Sequence, residues 1–307
     1  MIINLPCRLT RRIGLGFLIA VFGHSIVAIA SGSQTRADEL PTIISASLCA
    51  DQYLLTFAAP SQILALSTMA QDKSLSPMAD KAANYPIFSG SLEHAITSPA
   101  DIIIVSAYTS KTRRDALVNI GKHVITLDGA QTWENSRQEA LALGKAIGRE
   151  AAAKVWVSET DAALQSIKSN KHRYNIMSYD RGGVVSGRGH ILNDLIERSG
   201  HTNPAAAMFG GSQPLSLETL ISLKPDFIIL ANSNTPTPGK ANIGNDGGND
   251  GGNDRGQEAM FHPAFLTAFP QEKRIRIPQN LLFCAGPSFM RALQILQAGI
   301  DAKTTTK

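Results

Sequence analysis

The segment GGVVSGRGH, residues 182–190, holds the densest group of residue types that could do chemistry. Its glycines could cradle a phosphate, while Ser186 or His190 could supply a nucleophile or a base. The segment lacks the GxSxG nucleophile elbow and the Lys-Ser/Thr ending of a P-loop, and no paired carboxylates stand at a recognisable spacing. A secreted, hydrolase-like α/β enzyme that uses the Gly182–His190 loop is therefore an alternative and not the leading interpretation.

Cysteines and histidines are the next candidates, because both residue types bind metals. The chain has three cysteines and seven histidines, with no CxxC pair and no Cys/His zinc spacing. For Cys49 and Cys284 we expect, in this order, buried small residues, a disulfide, or soft metal ligands. Binding of a bare divalent metal, which requires several converging His, Asp and Glu ligands, is a second alternative.

The first 37 residues have the pattern of a secretory signal peptide. Three arginines at positions 8, 11 and 12 precede an apolar run over residues 13–30. We expect residues 1–37 to be removed on export. They carry four arginines and no acid, so the remaining chain has 25 basic and 25 acidic residues. This neutral balance supplies no basic patch and argues against nucleic-acid binding.

An internal repeat defines the organisation of the exported part. SLEHAITSPADIIIVSA at residues 91–107 and SLETLISLKPDFIILAN at residues 216–232 agree at seven of 17 positions without a gap. In each copy a serine that can cap a helix is followed by a short apolar-periodic helix, a proline-containing turn and a continuous apolar strand. Strands of this kind belong to parallel sheets that are covered on both faces, so the repeat predicts two similar α/β lobes.

The remaining elements follow the same rhythm of strands alternating with helices. Strands are predicted at residues 42–47, 63–67, 102–106, 123–127, 175–179, 227–230 and 274–278. Residues 134–170 are Ala-rich and free of proline, which predicts one long interlobe helix; a break at Gly144 or Gly148 is the alternative. Residues 233–256 are rich in Gly, Asn and Asp, which predicts a flexible loop.

Taken in order, these motifs resemble the periplasmic substrate-binding proteins of ABC importers for ferric siderophores, haem and cobalamin. The signal peptide, IISASLCADQYLL at residues 43–55, the paired SLE units and SGRGHILNDLIERSGHTN at residues 186–203 carry the resemblance, which covers residues 40–300. It implies an α/β fold of two Rossmann-like lobes with parallel sheets, an N-terminal lobe (38–133), an interlobe helix (134–170) and a C-terminal lobe (171–307). The ligand is expected in the cleft between the lobes.

The resemblance also implies a function and partners. We expect a monomeric periplasmic protein that captures a ferric siderophore or cobalamin and catalyses nothing. It has no resident cofactor or metal, and it delivers its ligand to the membrane subunits of the importer. The family docks through one surface glutamate on each lobe, and Glu93 and Glu218 occupy the matching positions. Each glutamate also suits the positive end of its helix macrodipole.

Loops at the carboxyl ends of parallel strands line such clefts, which nominates ligand-binding residues. Aromatic faces would stack on a flat macrocycle or catecholate, and a guanidinium would pair with an anionic chelate. Simpler structural roles are a turn brace for Arg188, a helix cap for His190 and core packing for Trp133. The candidates are Cys49, Tyr108, Trp133, Tyr179, Arg181, Arg188, His190, Phe209 and Cys284.

Overall fold

The computed structural model describes residues 40–167, 172–231 and 258–304. The predicted signal peptide and the predicted 233–256 loop lie outside the described residues. The described residues belong to one compact unit, which contains two parallel sheets. None of the described helices is long and apolar enough to cross a bilayer.

The first lobe is built on a five-stranded parallel sheet with the strand order β3-β2-β1-β4-β5. Its strands are β1 (Ile43–Ser45), β2 (Ile63–Ser67), β3 (Ile87–Phe88), β4 (Ile102–Ser106) and β5 (His123–Leu127). Its helices are α1 (Leu48–Phe57), α2 (Ala79–Ala82), α3 (Leu92–Thr97) and α4 (Lys111–Asn119). Four of these strands were predicted, and β3, with only two residues, was not.

Two helices join the lobes, where the sequence predicted one. They are α5 (Trp133–Ala146) and α6 (Glu150–Gln165), so the prediction of a single helix over residues 134–170 is wrong. The break falls at Gly148, whose φ of 70° is a left-handed conformation that glycine adopts without strain. The helices fold back on each other and meet closely at Gly144, where an added Cβ would lie 2.4 Å from Ala153 Cβ.

The second lobe contains a three-stranded parallel sheet of order β10-β9-β6 and a separate antiparallel pair, β7-β8. Its strands are β6 (Ile176–Ser178), β7 (Val184–Ser186), β8 (Ser212–Pro214), β9 (Phe227–Leu230) and β10 (Arg274–Arg276). Its helices are α7 (Ile191–Arg198), α8 (Ala205–Met208), α9 (Leu217–Ser222), α10 (Glu258–Phe261), α11 (Pro263–Ala268) and α12 (Phe289–Thr304). The three predicted parallel strands of this half are present.

The repeat has the predicted structure of helix, turn and buried strand in both lobes. Ser91 Oγ accepts the backbone N–H of His94 at 3.1 Å, and Ser216 Oγ accepts that of Thr219 at 3.2 Å, so each serine caps its helix. The following strands, β4 and β9, occupy interior positions in their sheets and are buried along nearly their whole length. The duplicated sequence therefore places equivalent helices on the two lobes.

The two joining helices contribute to both hydrophobic cores. Ala153 and Val157 of α6 belong to the first-lobe core, whereas Trp133 at the start of α5 belongs to the second-lobe core. Trp156 packs against both cores and meets Trp133 edge-on at a ring-centroid distance of 5.4 Å. This shared apolar packing ties the helix pair to both lobes.

Candidate ligand cleft and docking surface

A disulfide joins the lobes beside the carboxyl end of the first sheet. Cys49 lies in the first turn of α1, two residues after the loop that follows β1, and it pairs with Cys284 of the second lobe. Their separation of 235 residues makes this a long-range crosslink. Of the three roles expected for these cysteines, the structure supports the second, a disulfide, and their place in the ligand cleft stays a prediction.

A hydrogen bond also joins the two lobes in this region, and this boundary between the lobes is called the seam below. The Asn280 side-chain amide of the second lobe donates to the Lys73 carbonyl oxygen of the first lobe at 2.9 Å. Close packing at Gly286, where an added Cβ would lie 3.2 Å from the Tyr53 ring, adds a third point of approach. No local sequence pattern predicts these contacts, because each depends on how the lobes meet.

Asp51 forms a buried polar site beneath the same end of the first sheet. Its carboxylate accepts from the Ser67 hydroxyl and from the Ser67 backbone N–H, the latter at 3.2 Å. Burial raises the pKa of this carboxyl to about 6, although hydrogen bonds from Ser45 and Ser67 act in the opposite direction. Asp51 was not among the predicted site residues, and its place between two strand-ending serines is its only sequence signal.

The Gly-rich loop of the second lobe presents Arg188 at its tip. Arg188 N–H donates to the Phe209 carbonyl oxygen at 3.0 Å, and Gly211 N–H donates back to the Arg188 carbonyl oxygen at 2.8 Å. Gly187 packs so closely that an added Cβ would lie 2.4 Å from the Phe209 carbonyl oxygen. The backbone therefore holds Arg188 and Phe209 together, while the Arg188 side chain is exposed.

His190 has the structural role weighed for it, that of a helix cap. Its Nδ1 accepts the Leu192 backbone N–H at 3.2 Å at the start of α7. Burial lowers its pKa and favours the neutral ring that this acceptor role requires. Ser186 is buried on β7, and its backbone N–H donates to Ser178 Oγ at 2.9 Å. The two residues of the enzyme alternative thus make separate structural contacts.

The predicted aromatic candidates divide between surface and core. Tyr108, directly after β4, is 93% exposed, and Arg181, after β6, is also exposed. Trp133 is only 2% exposed and donates from Nε1 to Asp161 at 2.7 Å, while Tyr179 stacks on Phe265 in the second-lobe interior. Trp133 and Tyr179 are therefore buried in the second-lobe interior, and Tyr179 also lines a pocket with Gly182 and Gly183.

The two predicted docking acids are exposed and occupy equivalent places. Glu93 and Glu218 are each the second residue of their helix, two positions after the capping serine. Hydrogen bonds from its own backbone N–H and from Ser216 lower the pKa of Glu218, which keeps it ionised. A pocket of about 530 Å³ lies beside Glu218 between α9 and the α10–α11 pair, with His262 in its wall.

No group of three or more His, Cys, Asp or Glu side chains is arranged to hold a metal ion within residues 40–167, 172–231 and 258–304. The two cysteines, which were the softest candidate ligands, are joined to each other.

A match to a family model identifies the class of protein. Residues 97–280, more than half of the chain, match the family described as periplasmic binding protein, and the chain belongs to that family. None of the curated proteins matches the sequence.

Solved structures support the fold across most of the chain. The chain is similar to the periplasmic heme-binding protein of Vibrio cholerae, with 18% identity, a TM-score of 0.64 and coverage of 85% of this chain and 98% of that one. It resembles the periplasmic vitamin B12 binding protein of the same organism at 15% identity and a TM-score of 0.57, covering 86% and 98%. It is also similar to the ABC-type Fe3+-hydroxamate transport system from Saccharomonospora viridis, with 15% identity and a TM-score of 0.61. This match covers 85% of this chain and 93% of that one.

Proposed function

We propose that this protein captures a metal chelate, a ferric siderophore or cobalamin, between its lobes and delivers it to the membrane subunits of an ABC importer. The observation that carries the proposal is the repeated helix with an exposed glutamate, Glu93 on one lobe and Glu218 on the other. A carrier that docks on paired membrane subunits needs an equivalent contact on each lobe. We further propose that it acts as a periplasmic monomer after removal of residues 1–37.

The exposed side chains on the cleft loops support an anionic, partly aromatic ligand. Tyr108 on the first lobe offers a ring for stacking, and Arg181 and Arg188 on the second lobe offer positive charge. Phe209 is held against Arg188 by the paired Gly-rich backbone. The similar solved structures include proteins for heme, vitamin B12 and a Fe3+-hydroxamate, which are bulky metal chelates.

A binding function also accounts for the Gly182–His190 loop better than catalysis does. His190 Nδ1 is used as a helix cap, and Ser186 is buried. A nucleophile needs an adjacent base within hydrogen-bond reach, and His190 Nδ1 instead accepts the Leu192 backbone N–H. We propose that the chain has no catalytic step and that a separate ATPase supplies the energy for transport.

The first test is calorimetric titration of the exported chain with cyanocobalamin, haemin, a ferric hydroxamate and a ferric catecholate. We expect saturable one-to-one binding of one of them. Arg188→Ala should weaken binding of an anionic chelate about tenfold or more, in keeping with the loss of a charge-assisted contact. Arg291→Ala, an exposed arginine on α12, is the matched control and should change nothing. No binding across the panel would contradict the proposed ligand class.

The docking role is tested by the double variant Glu93→Ala with Glu218→Ala. We expect unchanged ligand affinity and loss of uptake, because the glutamates lie on α3 and α9 outside the cleft loops. Glu159→Ala with Glu272→Ala removes two other exposed acids and should leave uptake intact. Lost ligand affinity in the purified Glu93/Glu218 variant, or normal uptake, would contradict the docking assignment.

A further inference from the structure

The helix that carries Glu93 has an open apolar face. Leu92 and Ile96, four residues apart on α3, are 40% and 55% exposed, and Ala95 is the only buried residue of the helix. Residues four apart share one side of a helix, so these two large side chains form one continuous patch. Glu93 adjoins the patch and forms no ion pair within the described residues.

The internal repeat provides a comparison within the same molecule. Leu217 and Ile221 of α9 occupy the positions of Leu92 and Ile96, yet they are partly buried and pack against the second-lobe core. On this side α11 packs against α9, and Phe265 of α11 belongs to that core together with Met260 of α10. The duplicated apolar pair is thus covered by the chain itself in one lobe only.

The difference has a sequence cause. The segment that follows β4 is α4, KTRRDALVN, in which only Leu117 is buried. The segment that follows β9 leads to α10 and α11, EAMF and PAFLTA, which carry large apolar side chains. A polar α4 leaves the apolar pair on α3 in solvent, where exposed apolar area has no stabilising role in the folded monomer.

We infer that Leu92 and Ile96 form, with Glu93, a docking patch for the importer's membrane subunit, which meets it with a basic side chain flanked by apolar ones. The inference rests on the proposed function, because Glu93 is the docking acid of this lobe. Charge complementarity selects this occupant, since an isolated carboxylate beside apolar side chains is matched by a partner cation beside apolar side chains. The glutamate contact is then equivalent on both lobes, and the surface beside it differs, with an open apolar patch on the first lobe and a pocket beside Glu218 on the second.

The test is Leu92→Ser with Ile96→Ser, measured as the dissociation constant for the importer's purified membrane subunits in lipid nanodiscs. We expect docking to weaken about tenfold or more, as for the loss of two apolar side chains buried at an interface. Val155→Ser on α6 is the matched control, because Val155 is 56% exposed and belongs to a different helix. It should leave docking unchanged.

The outcomes separate this inference from the proposed function. If Glu93→Ala with Glu218→Ala weakens docking but the serine variant does not, the patch is refuted and the docking acids stand. If neither variant weakens docking, the docking role itself is refuted. Sedimentation of the unmodified chain adds another outcome, since a dimer abolished by the serine substitutions would assign the patch to a second copy and overturn the inference. Unchanged thermal unfolding of the serine variant would show that its fold is intact.

Discussion

At the scale of single residues, ionisation of the buried Asp51 carboxyl lowers the free energy of unfolding. Its folded pKa of about 6 exceeds the ordinary value of 3.8 because burial disfavours the charged form. The stability linked to this group is therefore fully present below pH 4 and is lost as the pH rises through 6. A shift of two pKa units corresponds to roughly 3 kcal/mol, and hydrogen bonds from Ser67 keep the charged form tolerable.

We expect Asp51→Asn to remove this pH dependence. Relative to the variant, the unmodified protein should lose about 2–3 kcal/mol of unfolding free energy between pH 4 and pH 7, as measured by urea titration. Asp72→Asn is the control with opposite sign. Hydrogen bonds from Ser74 lower the pKa of that exposed carboxyl, so its small contribution is lost as the pH falls. A difference between wild type and Asp51→Asn that stays constant with pH would contradict the assignment.

Among single residues, some positions could be predicted from local sequence and others could not. The exposed glutamates followed from a motif, and their helix positions are set locally by the capping serines. Trp133 was a candidate because it follows a predicted strand. An aromatic residue at such a position fits a ligand cleft and a hydrophobic core equally well, so the sequence alone does not distinguish the two. Cys49 and Cys284 lie 235 residues apart, and their pairing depends on the approach of two lobes that no local pattern encodes.

At the scale of elements, the helix pair α5–α6 depends on one glycine at its closest approach. Gly144 leaves room for Ala153, so the helices pack nearly backbone to backbone. The sequence allowed the break but favoured a continuous helix, because an Ala-rich stretch without proline satisfies helical periodicity on either side of Gly148. The repeat, in contrast, predicted its elements well, because capping serine, apolar period and proline turn all indicated the same structure.

Gly144→Ala should destabilise the protein by about 1–3 kcal/mol even though alanine is the better helix former, because overpacking forces the helices apart. A second substitution that compensates for the first provides the matched test. Adding Ala153→Gly removes the methyl group that the new Cβ meets, so the double variant should be less destabilised than the two single changes together. Unfolding in urea measures all four proteins. Additive effects, or a stabilised Gly144→Ala, would refute the close packing.

At the scale of the whole molecule, the lobes are held together by more than their three chain crossings. The segment of residues 128–132 leads from β5 to the second-lobe core at Trp133, α5 runs back to the first-lobe core, and α6 returns to the second lobe. The Cys49–Cys284 disulfide adds a further covalent link, and the Asn280–Lys73 hydrogen bond lies on the same seam. We predict that lobes linked in this way move little relative to each other when a ligand binds, since large opening would break the seam.

Removing the disulfide should therefore loosen the seam. For Cys49→Ser with Cys284→Ser we expect a loss of about 2–5 kcal/mol of stability, as is typical for native disulfides. Amide hydrogen exchange should become faster at the start of α1 and around residues 279–288, while β4 and β9 keep their protection because their sheets do not depend on the crosslink. Uniformly faster exchange would instead mean that the disulfide stabilises the whole fold, and unchanged exchange at the seam would show that packing around Tyr53 and Gly286 holds the lobes without it.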